Sequence, residues 1–214
     1  MRHRTRTYLA TAAAAALLAA LPAAPALAAT GGVLTVGSAG GTSVNVGDAL
    51  TAALTGTAAF STSAGNLDCT AGAFAVKDKT NPAASTGKAA ETVTGISFTA
   101  SSCTSSISGT SGVQSIGLKT GTAPTATVTA STMKMSVKPI VTVVLSTVLG
   151  NVTCYYGGTI SGALSNTNSS LAFKSAKVTS QSGSSSLCPA SGKFTATFEP
   201  IKDTTQGSLS VFVN

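Results

Sequence analysis

Apolar residues recur at every second position through much of the chain. The segment KFTATFE, Lys193–Glu199, sets Phe194, Ala196 and Phe198 on one side and Lys193, Thr195, Thr197 and Glu199 on the other. The segment TMKMSVK sets Met133, Met135 and Val137 against Lys134, Ser136 and Lys138. Ile96, Phe98 and Ala100 alternate in ISFTA, and Leu209, Val211 and Val213 in LSVFV. Successive side chains of a strand point to opposite faces, so this period of two predicts half-buried strands. Thr and Val, frequent in these runs, suit a pleated surface. Clusters such as SAGGTS, TNPAASTG and SQSGSSS fall between the runs and read as turns. Beyond the first thirty residues no stretch carries helical spacing. The expected fold is all-β, an antiparallel β-sandwich or barrel.

One nine-residue phrase occurs twice. STSAGNLDC spans Ser61–Cys69 and STVLGNVTC spans Ser146–Cys154, an offset of 146 − 61 = 85 residues. Cys103 and Cys188 stand at the same offset, so the intervals Cys69 to Cys103 and Cys154 to Cys188 are both 34. Phe60 matches Leu145, and Ile116 matches Ile201, at that offset too. These matches predict two pseudo-repeats, about 33–117 and 118–214. Gly-Asn dipeptides favour strand–turn–strand chemistry on their own, which is the competing explanation. Asp68 and Tyr155 have no counterpart in the other copy. The phrase therefore repeats a turn and a cysteine, not a polar reactive group.

Four cysteines in an exported chain are expected to form two disulfides, for which three pairings exist. The repeat favours Cys69–Cys103 with Cys154–Cys188, each closing a loop worth about 3–4 kcal/mol in chain-entropy terms. The crossed set, Cys69–Cys188 with Cys103–Cys154, respects the same symmetry. No C-x-x-C spacing is present, so no metal site is expected at these thiols.

The order S-T-x-x-G-N-x-x-C, a following strand such as GISFTASSC and an Ala-rich leader together resemble small secreted actinobacterial β-proteins of unknown function. The resemblance extends over most of the chain after the leader. It implies an all-β fold and supplies no catalytic residues.

The leader itself begins with Arg2, Arg4 and Arg6 and continues through an Ala/Leu-rich run, broken by Pro22 and Pro25 before Ala26-Leu27-Ala28. Residues 1–28 are expected to be a cleaved signal peptide, with no stable membrane span and no lipid anchor. One extracellular all-β domain, 29–214, would remain. It carries every Lys, no Arg and no His: ten Lys against Asp48, Asp68, Asp78, Glu91, Glu199 and Asp203, or 10 − 6 = +4. Without guanidinium groups, nucleic acid is a poor partner.

The same inventory argues against catalysis. No imidazole is available for a Ser-His-Asp, Cys-His or zinc site. No S-x-x-K is followed by the other penicillin-recognising motifs, and Gly-rich stretches such as GSAGG lack the following helix and Lys of a phosphate loop. A glycosidase-like carboxylate pair lacks aromatic sugar platforms, since the chain has no Trp. Asp68 and Glu199 are the least generic acids, expected as solvated strand-end groups. Asp78, in KDKTNP, is expected at a charged hairpin tip with too few oxygens for calcium. No catalytic residue, metal or cofactor is assigned.

Tyr155 and Tyr156, on opposite faces of one strand, are the candidate binding surface. MKMSVKPIVTVVLSTV loses its alternation after Lys138 and is expected to be a central strand buried on both sides, bent at Pro139. Lys119–Pro124 marks a possible join between halves. The leading expectation is a non-enzymatic structural, adhesive or partner-binding protein of the cell exterior, recognising a protein or polymer. The alternatives are a carrier for a small apolar ligand and, third, a carboxylate-based hydrolase. An apolar cavity with few polar groups would favour the carrier; an exposed Tyr patch on a solid core would favour the binder.

Overall fold

The computed structural model describes residues 31–214. The signal-peptide expectation for 1–28 lies outside them. Seventeen strands follow in order: β1 (Leu34–Val36), β2 (Thr42–Ser43), β3 (Ala49–Thr62), β4 (Gly65–Cys69), β5 (Gly72–Thr80), β6 (Lys88–Phe98), β7 (Cys103–Ser105), β8 (Thr110–Leu118) and β9 (Thr125–Thr129). The remainder are β10 (Lys134–Val137), β11 (Ile140–Thr147), β12 (Gly150–Gly157), β13 (Ile160–Ser165), β14 (Ser170–Ser180), β15 (Ser191–Phe198), β16 (Lys202–Asp203) and β17 (Leu209–Val213). Between them lie three single-turn 3₁₀ segments, and among the described residues no helix is long and apolar enough to cross a membrane.

Every pairing is antiparallel, and the pairings close on themselves. From β3 the hydrogen bonds run through β5, β6, β8, β11, β12, β14 and β15 and return to β3. A second circuit leaves β6 through β9, β10 and β13 to rejoin β14. β3, β5, β6, β14 and β15 thus serve both circuits. Closure reduces the edge-pairing hazard of an open sheet, although β6–β8 and β12–β14 are joined by two residue pairs each. The outlying strands β1, β2, β16 and β17 cover one end, where β16 pairs with β3, and β17 with β16 and β1.

The alternation explains which faces meet. Leu50, Ala52, Ala58 and Phe60 of β3, Phe74 and Val76 of β5, Val93 and Ile96 of β6, Leu171, Phe173 and Val178 of β14, and Ala196 and Phe198 of β15 are all buried in one core. Met135 and Val137 are buried while Lys134 is exposed. Val211 and Val213 turn inward, but Leu209 lies at the start of β17 and is 48% exposed. The long apolar run divides at Lys138-Pro139 into β10 and β11. In β11, Val143 and Leu145 are buried, whereas Ile140, Thr142 and Val144 are only partly covered. The expected two-sided burial is therefore complete on one face only, the alternate side chains of β11 being half-buried.

Both copies of the repeated phrase build the same hairpin. Thr62 Oγ1 donates to the Gly65 carbonyl and Thr147 Oγ1 to the Gly150 carbonyl, both at 2.8 Å, and each Thr Oγ1 also accepts a backbone N–H two residues on. Thr62 pairs with Gly65 and Ala58 with Cys69; at the same offset Thr147 pairs with Gly150 and Val143 with Cys154. Gly65 has φ +132° and Gly150 φ +112°, a region open to glycine. At Gly65 a Cβ would also collide with the Ser106–Ile107 backbone. The correspondence fails downstream: Ile116 is buried in β8 opposite Val143, while Ile201 lies outside the strands, between β15 and β16. The disulfides are Cys69–Cys103 and Cys154–Cys188. No cysteine is free among the described residues.

Two asparagines tie the covering strands to the rest. Asn81 accepts from Leu34 N–H at 2.8 Å and donates to the Leu34 and Val44 carbonyls at 2.7 and 2.8 Å. Asn166 likewise accepts from Val213 N–H at 2.9 Å and donates to its carbonyl at 2.8 Å. Each carboxamide stands in for a strand neighbour, satisfying backbone groups that the short ladders leave over.

Candidate functional site: an apolar cavity and a buried acid cluster

A cavity of about 80 Å³ lies among the strands of the two circuits. Its wall comes from β3, β5, β6, β8, β11, β12, β14 and β15, joined by Leu67 and Cys69 of β4, Val137 of β10, Ile160 of β13 and Pro139; Phe60, Phe98, Val143, Tyr156, Phe173 and Phe194 are among the side chains facing it. Closely spaced rings make up much of the wall. Phe74, Phe98, Phe173, Phe194 and Phe198 form a cluster with centroids 5.8–6.5 Å apart, and Phe60 lies 4.7 Å from Tyr156. Rigid rings crossing at an angle leave gaps that flexible side chains would fill. Gly192 belongs to this arrangement, because a Cβ there would overlap the Phe60 ring.

Tyr156 supplies the polar group nearest the cavity. It is 5% exposed and donates its phenol to the Pro189 carbonyl at 3.1 Å. Burial pushes its phenol up to about 12, so it stays protonated and keeps this hydrogen bond. Pro189 follows Cys188, whose bridge to Cys154 holds the 181–190 segment across this end. That segment takes over where the β12–β14 ladder stops: Gln181 N–H donates to the Tyr155 carbonyl and Ser185 N–H to the Thr153 carbonyl.

The two tyrosines part company. Tyr156 faces the interior, not a surface, which corrects half of the expected binding patch. Tyr155 is half-buried, packs near Gly183 and carries the Lys119 ammonium 4.4 Å above its ring. The large apolar residues left exposed are elsewhere: Val148 and Leu149 at the β11–β12 tip, both at least 90% exposed, with Leu187, Val46 and Leu209.

The acids are sorted differently from expectation. Asp68 sits in β4 opposite Ala59, and Glu199 follows β15 with its N–H on the Ala53 carbonyl. Those anchors are 59 − 53 = 6 residues apart along β3, about 20 Å of strand, so the two do not pair. Four other acids gather instead at the covered end. Asp48, Asp78, Glu91 and Asp203 are all buried. Asp78 is no hairpin-tip group; it lies within β5, and the turn follows it. Asp48 accepts from Asn45 N–H at 2.8 Å and from Gln206 Nε2 at 2.7 Å; Asp203 accepts from the Thr205 and Gln206 N–H groups at 2.8 and 3.0 Å. Burial alone would raise the Asp48 carboxyl, but the Asn45 backbone and the Gln206 side chain outweigh it and hold it below the usual range.

Asp78 and Glu91 lack such donors. Burial pushes Glu91 up to about 10, helped by the neighbouring charge of Asp78; burial also raises Asp78. Glu91 further lines a second, smaller cavity of about 30 Å³ beneath β1 and β17, walled by Leu34, Val128, Met135 and Leu171 among others. The alternation already carried this pair: Phe74, Val76 and Asp78 share one face of β5, and Ala89, Glu91 and Val93 one face of β6. Among the described residues no three His, Cys, Asp or Glu side chains converge as a metal cage. No protein-family model, curated protein or solved structure matches the chain.

Proposed function

We propose that the protein is an exported, non-enzymatic carrier that holds a small apolar molecule inside a disulfide-stapled β-barrel made of two related halves. The observation that carries this reading is the apolar cavity among the strands of the two closed circuits, with Tyr156 as the hydroxyl-bearing side chain in its wall. Ligand pockets are largely apolar with few polar groups fixing orientation. An apolar cavity of ~150 Å³ takes up benzene or xenon, so about 80 Å³ suits a ligand of a few atoms or the tip of a longer chain. Barrel closure supports the reading by keeping the cavity from collapsing, since eight strands leave an interior just wide enough for side chains or one small ligand. Extracellular location is supported by the two bridges. The matched hairpins support descent of the halves from one repeat.

A structural or adhesive module is the second reading. Val148, Leu149 and Leu187, exposed on a rigid tip and a tethered loop, favour it. Native mass spectrometry of protein purified from the medium of producing cells separates the two. A reproducible adduct of small mass, displaced by pressurised xenon in ¹²⁹Xe NMR, is the outcome expected for the carrier. Bare protein that shows no xenon exchange signal would refute it.

A further inference from the structure

Asp78 and Glu91 stand directly opposite one another in the β5–β6 ladder, on the face that carries Val76 and Val93 inward. Opposed side chains on one face of an antiparallel pair have Cβ atoms about 4.5–5.5 Å apart. Both residues are buried, at 3% and 0% exposure, and none of their four carboxyl oxygens meets an N–H or O–H donor. Two ionised carboxylates this close in an apolar interior, with nothing to neutralise them, repel strongly and forgo hydration.

Three sources of relief are closed. The lysines of the surrounding strands, Lys77, Lys79, Lys88, Lys134 and Lys202, are exposed to solvent. The side-chain amide of Gln206 is already engaged by Asp48, Asp203 and the Ser43 carbonyl. A metal cage is not formed among the described residues. A proton satisfies the geometry: with one proton between them, the pair becomes a carboxyl O–H donating to a carboxylate, and each side chain is the other's partner.

We propose that Asp78 and Glu91 share one proton across the β5–β6 ladder, and that this proton latches the covered end of the fold, so that rising pH loosens it. Hydroxide removes the proton as water and leaves two facing carboxylates. The titratable groups facing the pair from neighbouring elements are Asp48, preceding β3, and Asp203 of β16; β9, which pairs with β6, carries none. Both add negative charge and oppose release of the proton. The latch is independent of what the larger cavity holds.

The sign follows from linkage. The native pair binds a proton that the unfolded chain, with carboxyls near ~4, has already lost. The stabilisation is therefore complete at acid pH and is lost as pH rises toward the folded value. One extra bound proton makes the unfolding constant rise about tenfold per pH unit, or roughly a hundredfold from pH 6 to 8. Urea unfolding of the full chain, dialysed against chelator, between pH 5 and 9 tests this. Wild type should follow that slope, and E91Q, which keeps a neutral hydrogen-bonding group, should flatten it to less than about threefold per unit. Infrared difference spectra should show a protonated-carboxyl stretch in native wild type at pH 7, absent from E91Q. Parallel slopes, or no such band, would overturn the proposal. So would destabilisation by chelator reversed by added calcium, since a cation would then hold the pair. If E91Q does not fold, D78N and the wild-type band decide the matter.

Discussion

Replacing Val143 by Ile adds one methylene to the cavity wall. Val143 is 5% exposed, faces the cavity from β11 and pairs with Cys154 and Ile116 on either side. An unfilled cavity destabilises by ~24 cal/mol per Å³, so 80 Å³ represents about 2 kcal/mol of packing that the empty protein forgoes. A further buried methylene gains about 0.8 kcal/mol by transfer, and shrinking the void adds a few tenths more. The replacement keeps the β-branch that suits a strand, so no rotamer penalty offsets this. V143I should therefore be about 1 kcal/mol more stable than wild type. In urea it should show a higher midpoint at unchanged slope, and its ¹²⁹Xe exchange signal should weaken. Overpacking a filled core would instead destabilise by 1–3 kcal/mol. A variant that is destabilised by that amount and takes up xenon as wild type does would show that the cavity is not an accessible void at Val143.

Three other outcomes are expected. Changing Cys154 and Cys188 together to Ser removes a bridge spanning 34 residues and should lower stability by about 3–4 kcal/mol, seen as a melting point roughly 10 °C lower, with faster proteolysis in the 181–190 segment. Tyr156→Phe deletes the hydrogen bond to Pro189 and should cost about 1 kcal/mol in urea unfolding while leaving the Pro189 carbonyl to solvent; an unchanged midpoint would mean that the phenol does not fasten this segment. Asn81→Ala removes three hydrogen bonds to the Leu34 and Val44 backbone and should cost about 2 kcal/mol or more, with hydrogen-exchange protection lost first in β1.

Alternation alone determined that this chain makes strands, because a period of two is a local property of the pleat and needs no partner to be recognised. The repeated phrase likewise determined its own hairpin: glycine at positive φ and a threonine hydroxyl three residues back are short-range chemistry, and both copies solve it identically. Alternation also put Asp78 and Glu91 on apolar faces, but their meaning there depended on register. Whether two acids on separate strands face each other, and whether a donor reaches them, is fixed by pairing over long sequence distances. The same holds for the tyrosines: adjacency ensured opposite faces, while the enclosing strands decided that Tyr156 looks into a cavity and Tyr155 lies under Lys119. Closure of the circuit was tertiary as well, since β15 returns to β3 through a backbone ladder between segments more than a hundred residues apart, which no local segment encodes. The cavity exists because those distant faces meet around angled aromatic rings, a volume set by how they fit together.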